Sequence, residues 1–281
     1  MATKKAVKPV KKSTAKKPTS AAKSTTKTST VKAVVSGNKT NLFGMSFTTK
    51  PIVSALVAEL VGTLLFAVAV IAGQGQPIII LFALAGIMLL FSAISGGHFN
   101  PAITFASWVT RRITGLRALG YIVAQFVGAG LAFALLNAFV GGAAPVSSAA
   151  QAAGQTAASL FHANTLPVGK EWYVFFSELV GTIVLGYTIA TAMRFVRRDR
   201  VAAALTVGLG IFVALLLAAS AGAYVGGSAI INPAIALSLQ VVDWQQWWTL
   251  WPLAVYILAP VIGAVIGFIL HDVIKPQQDN A

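Results

Sequence analysis

The sequence contains no cysteine, which excludes disulfides, thiol nucleophiles and cysteine-based metal sites. Acid is nearly as scarce: seven Asp and Glu stand against 21 Lys and Arg, and none precedes Glu59. Charged residues make up 10% of the chain, where a soluble domain carries about 25%. No nucleophile–base pair or metal-ligating cluster can be assembled from so few ionisable groups, so no enzyme, metal or cofactor is expected. What is present is apolar. Hydrophobic residues form 57% of the chain and mean hydropathy is +0.79, the composition of a membrane protein.

The formal net charge of +14 is unevenly placed: twelve lysines, Lys4 to Lys50, fall within residues 1–50, leaving +2 for the remainder. Residues 1–45 are Lys, Thr, Ser, Ala and Val, with no aromatic before Phe43. Such a segment buries too little apolar surface to offset its ordering entropy, and it reads as a disordered tail. It has neither the apolar core nor the cleavage site of a secretory signal. Anionic lipid headgroups, or no specific partner, are the favoured reading. Nucleic acid is the lesser alternative, because no aromatics are interleaved for base stacking.

Six apolar runs are long enough to cross a bilayer, which takes about 20 residues. They lie at Ile52–Ala72, Pro77–Ile94, Leu116–Val140, Trp172–Phe195, Val201–Ser220 and Trp247–Leu270. Two more, Pro101–Trp108 and Pro233–Leu239, are too short. A Gly/Ala/Ser-rich connection occupies 141–169. Arg111, Arg112, Arg117, Arg194, Arg197, Arg198, Arg200 and Lys275 fall on the connections shared with the Lys-rich tail, while the opposite connections hold only Lys170. The positive-inside rule then places both termini in the cytoplasm, with Trp172, Trp244, Trp247 and Trp248 at the outer interface.

Each short run opens with the same triplet, Asn100-Pro101-Ala102 and Asn232-Pro233-Ala234. Asn is a favoured helix N-cap and Pro fits the first helical position, so each triplet reads as a helix start at membrane depth. The long spans repeat too: Ala58-Glu59-Leu60-Val61-Gly62-Thr63 in the first matches Ser177-Glu178-Leu179-Val180-Gly181-Thr182 in the fourth. Each repeat has three spans, an odd number, so the copies lie in opposite orientations. Inverted repeats with broken helices put a solute path at the midplane between them. Gly62, Gly128, Gly181, Gly208 and Gly263 sit mid-span, where small residues let helices approach closely.

The two Asn-Pro-Ala triplets, the paired Glu-Leu-Val-Gly-Thr, Ser95-Gly96-Gly97-His98-Phe99-Asn100 and Gln125-Phe126-Val127-Gly128-Ala129 resemble the aquaporin family, or major intrinsic proteins, over about residues 52–272. The resemblance implies an all-α membrane protein with six transmembrane helices, two re-entrant half-helices and an inverted repeat. It implies a homotetramer with one pore per subunit, passing water and glycerol-like or other small uncharged solutes while excluding ions and protons. In the family the two intramembrane acids, here Glu59 and Glu178, brace the half-loops by accepting backbone hydrogen bonds. Asn100 and Asn232 are expected to offer amide donors to passing solute, with the carbonyls of 96–99 and 228–231 as acceptors and His98 at the inner mouth. His162 and His271, at span ends, suggest no metal site.

One departure stands out. The family nearly always has Arg after the second Asn-Pro-Ala, and here that residue is Ile235. Family spacing puts the other constriction positions at Ser220, Ala229 and Ile80, or Phe82 if the count shifts by two. The Asp that commonly follows that Arg in glycerol facilitators is replaced by Ala236. The expected organisation is a tail over 1–45, a channel domain over 46–275 with repeats at 51–140 and 171–272, and a C-terminal tail at 276–281. The plasma membrane is the expected location. Two alternatives remain open: a proton-coupled secondary transporter using Glu59 or Glu178, and a non-conducting scaffold whose active part is the basic tail.

Overall fold

The computed structural model describes residues 49–241 and 250–274. The Lys-rich tail, Trp244, Trp247, Trp248, Lys275 and the segment 276–281 lie outside them. Among the described residues every regular element is helical. Six helical spans are long and apolar enough to cross a membrane.

Repeat one comprises α1 (Thr49–Ala72), α2 (Pro77–Ser95), the short α3 (Pro101–Val109) and α4 (Gly115–Gly141). A helix of five residues, α5 (Ser148–Ala152), interrupts the connection to repeat two. Repeat two comprises α6 (Glu171–Ala192), α7 (Arg200–Ala223), the short α8 (Pro233–Ser238) and a last span made of α9 (Leu250–Leu253), a π-helical turn (Ala254–Leu258) and α10 (Ala259–Ile274).

Local sequence sets most of these boundaries. Pro77 opens α2, and Gly96 ends it at φ 98°, a left-handed C-cap that a side chain would disfavour. Thr114 caps α4 through Arg117 N (3.4 Å), and Asp199 caps α7 through Ala202 N (2.8 Å). The fourth span ends at Ala192, three residues before the Phe195 expected from hydropathy, because 193–198 turn tightly into the Asp199 cap. The fifth runs three residues beyond Ser220, to Ala223. The π-turn lies just upstream of Pro260, whose ring crowds the carbonyl four residues back, at Tyr256, and which lacks an N–H to close an α turn.

Packing repeats between the halves. α1 lies on α4 and α6 on α10, while α2 and α7 pack across the two halves. Gly128 of α4 presses on the Leu60 carbonyl and the Leu64 N–H, leaving no space for a Cβ. Gly263 of α10 does the same against the Leu179 carbonyl and the Ile183 N–H. Where backbones approach this closely only glycine fits. Each short helix packs on the last span of the other repeat, α3 on α10 and α8 on α4. The faces turned away from this core carry Val57, Phe82, Leu90, Phe139 and Val213, all exposed, as lipid-facing positions are.

Candidate conduction pathway

The two half-helices meet at their N-termini. Asn100 caps α3 by accepting from Ala102 N (2.9 Å), and Asn232 caps α8 by accepting from Ala234 N (3.0 Å). Both caps are buried, as are Pro101, Ala102, Pro233 and Ala234. Each Asn also reaches across to the other half-loop. Asn100 Nδ2 donates to the Ile231 carbonyl and Asn232 Nδ2 to the Phe99 carbonyl, both at 2.9 Å. An amide nitrogen has two N–H donors, so each side chain keeps a second one beyond the cross-link. The carbonyls of Phe99 and Ile231 are thereby engaged by protein, so of the acceptors expected along the path these two are already partnered.

The buried carboxylates fix the same two residues from behind. Glu59 accepts from His98 N (3.0 Å) and Phe99 N (2.7 Å); Glu178 accepts from Ile230 N and from Ile231 N (2.8 Å). Both acids are fully buried. The surroundings then diverge. Gln125 Nε2 donates to Glu59 Oε2 and to Thr104 Oγ1, each at 2.8 Å, and Thr104 Oγ1 lies 3.1 Å from His98 Nδ1. Aligning Gly128 with Gly263 puts Pro260 where Gln125 stands, so Glu178 lacks that amide partner. Tyr121 and Tyr256 correspond likewise: Tyr121 donates to the Ser95 carbonyl (2.7 Å), whereas the Tyr256 hydroxyl has no hydrogen-bond partner among the described residues.

A vestibule opens on either side of the triplets. The first, about 240 Å³, is apolar; Ile80, Ile211, Leu215, Ala219, Ala229, Ile230 and Ile235 line it, with Gln74 and Ser228 as its polar side chains. Among the described residues none that lines it is ionisable. Three of the four expected constriction positions, Ile80, Ala229 and Ile235, are brought together here. The alternative Phe82 points away and is 67% exposed. Ser220 is a correction. The α7 row on this vestibule is Ile211, Leu215, Ala219 and Ala223, four residues apart, and Ser220 is exposed about 100° around the helix. Counting back from Asn232 by the family's spacing falls one position past this row, on the neighbouring face of α7.

Part of this vestibule was not legible in sequence. Phe161, from the long connection, forms one wall and lies against Gly75, where a Cβ would stand 3.0 Å from the ring. Asn164 ties the same connection to the second half-loop, its N–H donating to Ser228 Oγ (2.9 Å) and Nδ2 to the Gly226 carbonyl (3.3 Å). The nearest signal was the lone aromatic in a small-residue segment.

The second vestibule, about 850 Å³, is basic. Gly96 and His98 line its inner end, and Arg112, Arg117, Arg194, Arg197 and Arg200 its mouth, with Asp272 the single acid among the described residues. His98 is buried, its ring edge-on to Tyr121 with centroids 5.3 Å apart. The arginines of the α3–α4 and α6–α7 links thus converge at one mouth, while Lys170 is not among its lining residues.

A family model described as major intrinsic protein matches residues 45–271. The probable aquaporin TIP1-2 of Oryza sativa subsp. japonica is 31% identical over 243 residues, covering 78% of this chain and 86% of the relative. The glycerol uptake facilitator protein-like 6 of Lactiplantibacillus plantarum is 33% identical over 177 residues, covering 63% of this chain and 74% of its own. Among solved structures, the aquaglyceroporin from Plasmodium falciparum superposes with a TM-score of 0.56 at 16% identity, covering 79% of this chain and 96% of the other, a likeness of fold.

Proposed function

The chain belongs to the major intrinsic protein family, and from that membership we propose a passive membrane channel that conducts water and glycerol-like uncharged solutes while excluding ions and protons. The observation that carries this reading is the pair of cross-linked Asn caps between two vestibules, each amide keeping one N–H for a passing oxygen. Two half-helices facing N-terminus to N-terminus place about half a positive elementary charge each beside that point, opposing cations and hydrated protons. The uncharged apolar vestibule around Ile80, Ala219, Ala229 and Ile235 favours small neutral solutes with apolar faces over strictly single-file water. His98 is assigned to the opposite mouth.

Glu59 and Glu178 are read as braces rather than proton carriers, since both carboxylate oxygens of each accept backbone N–H donors. That geometry counts against the proton-coupled transporter, and the open vestibules count against a scaffold. The basic vestibule is assigned to the cytoplasmic side of the plasma membrane by the positive-inside rule. The exposed apolar faces suit lipid and a homotetramer, and the Lys-rich tail suits anionic headgroups.

Stopped-flow light scattering on proteoliposomes, challenged separately with sucrose and glycerol gradients, tests the channel. Both osmotic shrinkage and glycerol re-entry should be fast, with a shallow temperature dependence. Empty-vesicle rates from correctly folded protein would sink the reading, and a steep, proton-gradient-driven flux would favour the transporter.

A further inference from the structure

The basic vestibule carries more positive charge than conduction of neutral solutes requires. Five arginines and one aspartate line it, +4 with histidines neutral. Arg112 is committed: it donates to Asp272 Oδ1 (2.8 Å) and Thr110 Oγ1 (2.6 Å), and its guanidinium lies 4.8 Å from the Phe268 ring centroid. Arg117 lies over Tyr121 at 5.8 Å. Arg194, Arg197 and Arg200 are exposed, and none has an ion-pair partner among the described residues.

Two further features point to an anion. Arg200 is the first residue of α7, and Arg197 and Arg198 immediately precede its N-cap Asp199, the one carboxylate at that terminus. Asp199 answers the helix dipole through Ala202 N but stands against three clustered guanidinium groups, whose mutual repulsion a bound anion would offset. His271 lines the same cavity; its Nδ1 lies 3.2 Å from Asp272 Oδ1, and its buried Nε2 has no hydrogen-bond partner among the described residues. With Nδ1–H given to the carboxylate, Nε2 of the neutral ring is an acceptor, which the hydroxyl of a partly protonated phosphate can satisfy.

We propose that this vestibule binds a multivalent phosphate anion, either a soluble polyphosphate or a phosphorylated lipid headgroup, and that its occupation closes the pore. Guanidinium forks bind carboxylate and phosphate oxygens alike, but three guanidinium groups around one cavity match the several oxygens and higher charge of a multivalent phosphate better than a lone carboxylate. The cavity is of ligand-binding size. An anion held between Arg194, Arg197 and Arg200 sits at the mouth of the cavity whose inner end is Gly96 and His98, and so narrows the entrance that a solute must cross. The plug rests on the channel reading, but the binding site does not.

The test uses the full chain and two readouts. Calorimetry with inorganic tripolyphosphate measures binding; stopped-flow water flux is measured with and without tripolyphosphate, and in vesicles with or without phosphatidylinositol bisphosphate. The same set is run on an R194Q/R197Q/R200Q variant, each protein referenced to its own anion-free flux. Expected is saturable binding that weakens about tenfold or more in the variant, and flux lowered several-fold by at least one phosphate source in the parent alone. Block by tripolyphosphate assigns a soluble ligand, and block by the lipid alone assigns a headgroup. Binding equal in parent and variant would place the anion on the Lys-rich tail and overturn the site. Binding without any block would overturn the plug, and absence of flux with binding intact would fault the channel reading instead.

Discussion

Phe99 and Ile231 occupy the left-handed region at φ 46° and 50°, and each gives its carbonyl to the Asn that follows the other. For a β-branched residue such as Ile231 that conformation is a genuine outlier, with a cost on the order of 1–3 kcal/mol. It persists because each residue is held at both ends, its N–H by a buried carboxylate and its C=O by an amide from the opposite repeat. Strain at the centre of the molecule is thus fixed by four side chains, Glu59, Glu178, Asn100 and Asn232, from four different elements.

Replacing Glu178 by Gln tests that clamp. The amide keeps one acceptor for two N–H donors and turns its own NH₂ against the other, with no Gln125 equivalent to compensate. A loss of about 1–3 kcal/mol is expected, read as a lower melting temperature in detergent together with slower water flux. Glu171→Gln, whose half-buried carboxylate accepts from Gly169 N (3.0 Å) at the start of α6, is the control and should cost under about 1 kcal/mol and leave flux unchanged. Equal behaviour of the two variants would mean the half-loop holds its shape unaided.

Gly62 and Gly181 transmit the spans to the half-loops. A Cβ on Gly62 would enter the Phe99 ring, and one on Gly181 would stand 2.9 Å from Ile231 Cγ2. Gly62→Ala and Gly181→Ala should therefore displace the residues that carry the cross-links and cut water flux severalfold. Gly86 has nothing within 4 Å of its would-be Cβ, so Gly86→Ala should keep flux and gain up to about 1 kcal/mol, what helix propensity gives. A Gly62→Ala channel as fast as the Gly86→Ala channel would contradict this placement.

The register of α7 can be checked by size alone. Ala219 lines the apolar vestibule and Ser220 is exposed beside it. Ala219→Phe should obstruct glycerol and slow water, whereas Ser220→Phe, facing outward, should alter neither. The reverse result would restore Ser220 to the path and require α7 to turn by about 100°.

These positions mark where the sequence was informative. The six spans and two half-helices were legible because apolar length and an Asn-Pro start are local signals; the first span, expected at Ile52–Ala72, ends at Ala72 in a helix that starts three residues earlier, at Thr49. The matched Glu motifs likewise pointed to an inverted repeat, whose Gly128 and Gly263 crossings now appear in pairs. The wall formed by Phe161 and the tie from Asn164 to Ser228 left little trace beyond a lone aromatic, since both join segments about 60 or more residues apart without periodicity. Ser220 was misplaced because a spacing carried from a family, one position out, lands on the neighbouring face of α7.

The absence of cysteine carries its own expectation. Mercurials that block channels by capping a pore thiol have no attachment point here. Water flux should be unchanged by mercuric chloride at concentrations that leave the vesicles intact. Inhibition reversed by added thiol would contradict this.

Ile235→Arg addresses selectivity most directly. Ile235 is 2% exposed and lines a vestibule with no ionisable group among the described residues, so the parent offers a neutral solute an apolar wall and a few polar edges. An arginine there adds bulk and a charge, and its guanidinium can stay hydrated only by extending into the cavity that solute must cross. Glycerol, which has to shed more of its hydration to pass, should lose more than water. A tenfold larger drop in glycerol flux corresponds to about 1.4 kcal/mol of differential barrier. Any potassium leak of the parent should fall in the same variant, since a fixed positive charge at a narrow, poorly solvated point repels cations far more strongly than one in bulk water. If water and glycerol fluxes fell in equal proportion, position 235 would be acting as a simple obstruction, and selectivity would have to lie with Ile80, Ala229 and Phe161 instead.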